Sequence, residues 1–309
     1  MRPERPPTHG RGASRYRHLS RSRAIQGAGY AAPTAVVVGM FFLVPLGLLV
    51  WMSLHDWPIL ADPELNAPKN YTDIADNQLF VDAVIFTLKY TVLVTVVLSL
   101  AALGLALLVQ HSRPGVGFFR TAFFLPGAIG FAATSILFLG FLNGRFGPID
   151  PFLIDLGIID EPVSWVGTPN MALFSTIGLV TWRFAGFNML ILLVGLHMIP
   201  LEVYEAAKVD GAGRWQTFTR VTLPLLRPTF ALMLIISITG SLVAFDQFYI
   251  FTRGRPANST VSAVMVIFRE AFVSNDLGAA AALSAVLLLA LLVFNGFLLR
   301  VLRHREPGL

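Results

Sequence analysis

One short polar segment, 200–228, stands between two long apolar runs, and its residue types suit binding to another protein. Pro200 can open a helix at its first turn, and Gly211, eleven residues later, can end it. Small alanine side chains let a helix approach a partner closely, and Glu205 offers that partner a carboxylate. The pattern predicts a docking surface, whereas the alternative is a solvated loop in which Glu205 pairs locally with Lys208. The candidate docking residues are Glu205, Ala206, Ala207, Asp210, Gly211 and Ala212.

Patterns for catalysis and for metal binding are missing from the sequence. It has no cysteine, which excludes disulfides, thiolate metal sites and a cysteine nucleophile. A nucleotide-binding P-loop needs Gly-Lys, and none of the three lysines, Lys69, Lys89 and Lys208, follows a glycine. Neither an HExxH zinc pattern nor a GxSxG nucleophile pattern occurs. We therefore expect no catalytic residue, metal site or cofactor in this chain, and any ATP and magnesium to be bound by separate subunits.

Composition predicts an all-α integral membrane protein. Hydrophobic residues make up 55% of the chain and charged residues only 13%. A helix needs about 20 apolar residues to cross a bilayer core of about 30 Å, and six segments qualify. The predicted spans are 30–53, 85–109, 121–143, 171–199, 229–251 and 279–299.

The distribution of charge predicts how these spans are oriented. With the N-terminus inside, the inner segments carry sixteen Lys and Arg and the outer segments five, whereas the acids number five inside and twelve outside. This asymmetry indicates that both termini and the segment 200–228 are cytoplasmic. We expect a basic, disordered tail over 1–29, a transmembrane domain over 30–303 and a short tail over 304–309. The seven tail arginines suit anionic lipid headgroups better than nucleic acid.

The order Glu-Ala-Ala-x-x-Asp-Gly-Ala, followed by Phe218 and Leu223-Pro224, resembles the EAA loop of binding-protein-dependent ABC importer permeases of the maltose type. The resemblance covers most of residues 35–300. It includes Phe124-Leu125-Pro126 and a later segment, 252–256, where the family usually has T-x-G-G-P. Arg255 replaces the second glycine of that pattern in this chain.

The resemblance implies a type I permease fold and a defined set of partners. These are a second homologous permease chain, two cytoplasmic ABC ATPase subunits and an extracytoplasmic solute-binding protein, assembled in the plasma membrane of a prokaryote. The EAA loop would then be the coupling helix that sits in a cleft of the ATPase. A sugar or sugar-like solute is expected, with glycerol phosphate or another small polar solute as the alternative.

Charges inside the spans are costly and mark candidate functional sites. In the family, the helices that flank the EAA loop line the solute path, and Arg183 and Asp246 lie on the corresponding stretches. Aromatic rings can stack on the C–H faces of a polyol while a guanidinium and a carboxamide bind its hydroxyls. The alternative is that Arg183 and Asp246 only pair and hold the bundle together. The candidate path residues are Arg183, Phe184, Phe187, Asn188, Ala244, Asp246 and Gln247.

Two other classes of membrane protein compete with this interpretation. A secondary transporter would need no docking loop and would carry ion-coupling acids inside its spans, where only Asp246 is available. A membrane anchor or assembly factor would need neither Arg183 nor the EAA pattern.

Overall fold

The computed structural model describes residues 27, 29–58, 62–111 and 113–303, with the side chains of 301–303 excepted. The predicted tail 1–29 (apart from Gly27 and Gly29) and the predicted tail 304–309 lie outside the described residues. The described chain is almost entirely helical, with one two-stranded antiparallel sheet.

The helices follow one another with short connections. They are α1 (Gly29–Ser53), α2 (Lys69–Asp76), α3 (Gln78–Val109), α4 (Val116–Ala128), α5 (Phe131–Phe141), α6 (Ile149–Asp155), α7 (Pro169–His197), α8 (Leu201–Val209), α9 (Arg214–Leu225), α10 (Arg227–Leu242), α11 (Ala263–Arg269) and α12 (Leu277–Arg303). π-Helical segments occur at Gly39–Leu43 in α1, Phe218–Thr222 in α9, Gln247–Thr252 and Glu270–Ser274. Strands β1 (His55–Asp56) and β2 (Glu64–Leu65) pair with His55 opposite Leu65.

Four helices, α1, α3, α7 and α12, are long and apolar enough to cross a membrane without a break. The two remaining candidates are bent pairs, α4 with α5 at 98° and α9 with α10 at 64°. The described chain therefore has four such helices, or six if each pair counts as one span. The third predicted span, 121–143, is thus divided between two helices. The fifth, 229–251, is interrupted after Leu242 and resumes in the π-helical segment Gln247–Thr252.

The long helices α3 and α7 form the centre of the bundle. Lipid is as apolar as a helix surface, so helices in membranes associate through close packing of small side chains and not through the hydrophobic effect. One face of α3 follows this rule at helical spacing. Its buried residues include Ala83, Thr87, Thr91, Val94, Thr95, Leu98, Ser99, Ala102 and Ala106.

A glycine decides how closely α4 approaches α7. A Cβ atom placed on Gly186 would overlap the carbonyl group of Phe123. The backbone of α4 therefore crosses α7 at a point where only glycine fits. This contact brings the C-terminal end of α4, and the break that follows it, against the middle of α7.

The two ends of the bundle differ. Gln110, which follows α3, and His197, which ends α7, lie together, since the His197 Nε2 atom is 3.1 Å from the Gln110 carbonyl. Helices α8 and α9 follow directly at this end. The β1–β2 hairpin and α2 lie at the other end, where Asn70 donates hydrogen bonds to the carbonyls of Ser53 and His55 at 3.0 and 2.9 Å.

Candidate functional site

The docking segment predicted from the sequence forms two helices, α8 and α9, joined by a tight turn. The Gly211 N–H donates to the Lys208 carbonyl at 3.0 Å, and the Ala212 N–H donates to the Ala207 carbonyl at 2.9 Å. This is the Schellman arrangement, in which the residue after the helix end adopts a left-handed conformation. Gly211 has φ 77°, a conformation that glycine adopts without steric cost.

Helix α9 begins immediately after this turn. Gly213 is its N-cap, and the Gly213 N–H donates to Oε1 of Gln216 at 3.1 Å. A contact between Thr222 and Tyr204 also links the two helices, with their hydroxyl oxygens 3.4 Å apart. The turn therefore presents α8 in a fixed direction relative to α9, which is joined to α10 at the 64° bend.

The surface of this helix pair is open in the single chain. Glu205, Ala206 and Asp210 are exposed, whereas Ala207 faces inward with 9% exposure. Val209 and Trp215 have 87% and 75% of their surface exposed. Apolar side chains so exposed beside charged ones are typical of a protein-binding surface. The alternative local pair is not formed, since no hydrogen bond or ion pair joins Glu205 to Lys208 in the described chain.

A second group of predicted residues surrounds the break between α4 and α5. The Arg183 side chain of α7 donates two hydrogen bonds to the Ile129 carbonyl, from Nε at 3.0 Å and from a terminal nitrogen at 2.7 Å. Ile129 follows the last residue of α4, so a helix no longer supplies a partner for its carbonyl. Arg183 provides that partner from the neighbouring helix α7.

Aromatic rings enclose the same guanidinium. Its central carbon lies 4.5 Å from the ring centroids of both Phe131 and Phe184, within the range of cation–π attraction. Trp182, the neighbour of Arg183, packs against Phe138 of α5 with centroids 5.5 Å apart. The rings of Phe131 and Phe184 also pack together, with centroids 5.6 Å apart, so one cation and two aromatic pairs attach helix α5 to α7.

At the interruption that follows α10, the Asp246 side chain is exposed and the Gln247 side chain is buried. Asp246 precedes the π-helical segment and is exposed in the single chain. Gln247 is 4% exposed, and its amide nitrogen lies 3.2 Å from the hydroxyl of Tyr90 on α3. Ala244 is also buried, and its carbonyl accepts a hydrogen bond of 2.6 Å from Ser262.

The family comparison decides the identity of the fold. The model of the family described as "Binding-protein-dependent transport system inner membrane component" matches residues 22–307 of this chain. The chain belongs to this family. It is therefore an inner-membrane permease component, as the EAA pattern predicted.

Individual relatives agree with this assignment. The permease is 30% identical over 278 residues to the probable starch degradation products transport system permease protein AmyD of Thermoanaerobacterium thermosulfurigenes, covering 90% of this chain and 94% of AmyD. It is 32% identical over 259 residues to the lactose transport system permease protein LacF of Rhizobium radiobacter, covering 82% and 86%.

A solved structure gives the fold directly. One chain of a bacterial ABC transporter involved in the import of the acidic polysaccharide alginate superimposes with a TM-score of 0.80 at 23% identity, covering 94% of the permease and 99% of that chain. The fold is accordingly that of an ABC importer permease.

The structure of the permease divides the predicted path residues into two sets. Arg183 and Phe184 are half-buried, and Phe187 and Asp246 are exposed in the single chain. Asn188 is 3% exposed and accepts a hydrogen bond of 3.1 Å from Ser237, so it joins α7 to α10, and Ala244 and Gln247 are buried as well. No hydrogen bond or ion pair joins Arg183 to Asp246 among the described residues.

Sequence reasoning missed the partner of Arg183. A backbone carbonyl carries no side-chain signal, and the alternative considered for the arginine was another charged residue. A break in the helix could have been predicted from Pro126, Gly127 and Gly130, because proline and glycine often end or bend a helix. Proline is also tolerated inside membrane helices, however, so Pro126 alone does not indicate where a span bends.

Proposed function

We propose that this chain is the membrane-spanning subunit that conducts a sugar or sugar-like solute in an ABC importer. A solute-binding protein delivers the solute, and separate subunits bind and hydrolyse ATP with magnesium. Membership of the inner-membrane permease family supports this function, as do relatives that carry the names of starch-product and lactose permeases. The complete assembly contains a second homologous permease chain and two ATPase subunits in a prokaryotic plasma membrane.

The proposed topology has six spans, in which each bent pair of helices counts as one span, and both termini lie in the cytoplasm. The excess of Lys and Arg on the α8–α9 side supports this orientation. It leaves 1–29 and 304–309 as cytoplasmic tails on the transmembrane domain 30–303, and it places the segment 200–228 where the ATPase subunits are.

The observation that carries the proposal is the exposed, rigid α8–α9 pair. Glu205, Ala206, Ala207, Asp210, Gly211 and Ala212 form the coupling surface, which enters a cleft of the ATPase. The Schellman turn fixes the direction of α8, and α9 continues into α10. Closure of the ATPases on ATP therefore moves α8 and α9 as a unit and transmits the motion to α10.

The solute path follows the exposed part of the second group. In a single chain these side chains face outward because the path lies between two permease chains. Arg183, Phe184, Phe187 and Asp246 contact the solute, and the buried Asn188, Ala244 and Gln247 support this surface from behind. A charge facing lipid at mid-bilayer costs about 2.5–3.5 kcal/mol on insertion scales, so an exposed Asp246 is better placed against a hydrated path.

A co-purification experiment tests the function. The tagged chain, expressed with its partner permease, should retain an ATPase subunit in detergent, and Glu205→Lys should lose it. The matched control is Glu161→Lys, which makes the same charge change on an exposed residue of the segment joining α6 and α7. Equal recovery of the ATPase with both variants would remove the coupling assignment. Absence of any ATPase from the preparation of the unmodified chain would contradict the proposal that this chain is part of an ABC importer.

A further inference from the structure

Two cavities of about 520 and 620 Å³ lie side by side at the end of the bundle opposite α8 and α9. They share four lining residues, Leu139, Ser164, Val166 and Phe251, and are therefore adjacent parts of one recess. Arg145 lines the first cavity, and Arg253 and Arg255 line the second. We call this recess, with its three arginines, the arginine vestibule.

The vestibule carries an uncompensated positive charge. All three guanidinium side chains belong to exposed residues, and no Asp or Glu of the described chain lines either cavity. Asp150 lies beside the lining residue Gly144 and is only 1% exposed. Its two oxygens accept hydrogen bonds from the Trp165 indole at 2.6 Å and from the Val163 N–H at 3.2 Å. The carboxylate of Asp150 is therefore bonded to residues of the cavity wall and not to the arginines.

The turn that carries two of these arginines is tightly held. Arg253 has φ 55°, a left-handed conformation that is unfavourable for a residue with a Cβ atom. The fully buried Thr260 hydroxyl donates to the Arg255 carbonyl at 2.8 Å and lies 2.8 Å from the Thr252 hydroxyl. A strained backbone that its surroundings hold in place is typical of a ligand-binding position.

Helix α5 connects the vestibule with the residues around Arg183. Leu139 lines both cavities and lies on α5, whose first residue, Phe131, stacks against the Arg183 guanidinium. At 1.5 Å per residue, the eight residue steps from Phe131 to Leu139 span about 12 Å along the helix. A solute of a few sugar rings can therefore reach from one to the other.

We propose that the arginine vestibule binds the anionic group of the solute, and that the solute is a saccharide bearing a carboxylate, phosphate or sulfonate. This inference rests on the proposed function, which places the vestibule on the extracytoplasmic side of an importer. Arginine is suited to this ligand because its planar guanidinium forms paired hydrogen bonds with carboxylate and phosphate oxygens. The half-buried Trp165 supplies an aromatic surface for the sugar ring beside them.

Chemical protection tests the proposal without requiring transport. The chain is reconstituted in nanodiscs with its partner permease and ATPase subunits and treated with phenylglyoxal, which modifies arginine, at constant ionic strength. Peptide mass spectrometry then follows Arg145, Arg253 and Arg255 separately, with the exposed Arg113, between α3 and α4, as the internal control. Digalacturonate and glucose 6-phosphate serve as acidic probes, and maltose is the neutral probe.

We expect both acidic probes to slow modification of the three vestibule arginines severalfold, and maltose to leave it unchanged. Losing one charged hydrogen bond in Arg255→Gln should raise the acidic probe concentration needed for protection of Arg145 by about tenfold. Lys69→Gln, which removes a positive charge from the same end of the bundle outside the vestibule, should not change it.

Two results would overturn the inference. The first is equal protection by maltose and the acidic probes, or protection by none of them. The second is protection that appears only when the solute-binding protein is added without sugar, which would make the arginines a protein-docking surface. If the complex shows either result while its ATPase still responds to the binding protein, the proposed function stands. Only the assignment of an anionic solute is then wrong.

Discussion

Arg183 of α7 and Ile129, at the break between α4 and α5, are joined by two hydrogen bonds of 3.0 and 2.7 Å although 54 positions separate them in the sequence. A charged side chain here satisfies a backbone carbonyl that the bent span leaves without a helical partner. Arg183 therefore holds the shape of the third span, in addition to any contact with solute.

Replacing Arg183 with Met should lower the free energy of unfolding of the assembled complex by about 1 kcal/mol, since it removes the hydrogen bonds from Arg183 to the partly exposed Ile129 carbonyl. Arg183→Lys keeps one donor and the positive charge and should lose less. Thermal unfolding of the purified complex measures both variants. A Met variant as stable as the unmodified protein would show that the carbonyl finds another donor and that Arg183 is not structural.

A side chain at Gly186 should separate α4 from α7. Gly186→Leu places carbon atoms where the Phe123 carbonyl lies, so α4 must move and the hydrogen bonds from Arg183 to Ile129 must lengthen. The matched control is Gly178→Leu on the same helix, where no neighbouring atom lies within 4 Å of an added Cβ. Thermal stability and transport should both fall in the first variant and stay unchanged in the second. Equal behaviour of the two would contradict the close crossing.

The Schellman turn gives a second pair of variants with opposite expectations. Gly211→Val forces a β-branched residue into a left-handed conformation, at a cost of about 1–2 kcal/mol, and should distort the turn. Gly211→Asn should be tolerated, because asparagine adopts this conformation more readily. ATPase activity stimulated by the binding protein should fall in the Val variant, with the chain still inserted in the membrane. Full stimulation in that variant would mean that the turn does not couple the subunits.

Single cysteines can test the proposed orientation because the sequence contains none. Asp62→Cys, between the two short strands, should react with a membrane-impermeant maleimide in intact cells. Val209→Cys, at an 87% exposed position of α8, should react only after the cells are opened. Labelling of position 209 from outside, with position 62 protected, would show that the chain has the opposite orientation. That result would also contradict the coupling proposal.

The sequence predicted the helical membrane class and the approximate places of the spans, because long apolar runs have few alternatives in a bilayer. Helix α3 nevertheless begins at Gln78, seven residues before the predicted start at 85, since its first turns carry polar residues that hydropathy excludes. The family pattern also identified the permease correctly. These successes depend on local composition and residue order.

Predictions about the path residues depended on the rotation of each helix, which hydropathy does not define. Asn188 and Phe187 are adjacent in sequence, yet the first is bonded to Ser237 in the core and the second is exposed. Gln247 likewise turns toward Tyr90 because the fifth span breaks before it. A span that is apolar on all sides gives no signal for either outcome.

The bent third span also constrains the order in which the chain can be built. Its halves, α4 and α5, have 13 and 11 residues, and each is too short to cross a bilayer core as a separate helix. The arginine that secures the bend is synthesised 54 residues after Ile129. The hydrogen bonds that hold the bend can therefore form only after α7 has been synthesised and lies beside α4. We expect the α4–α5 pair to reach its final shape as a late step of biogenesis, after the pair itself has entered the bilayer.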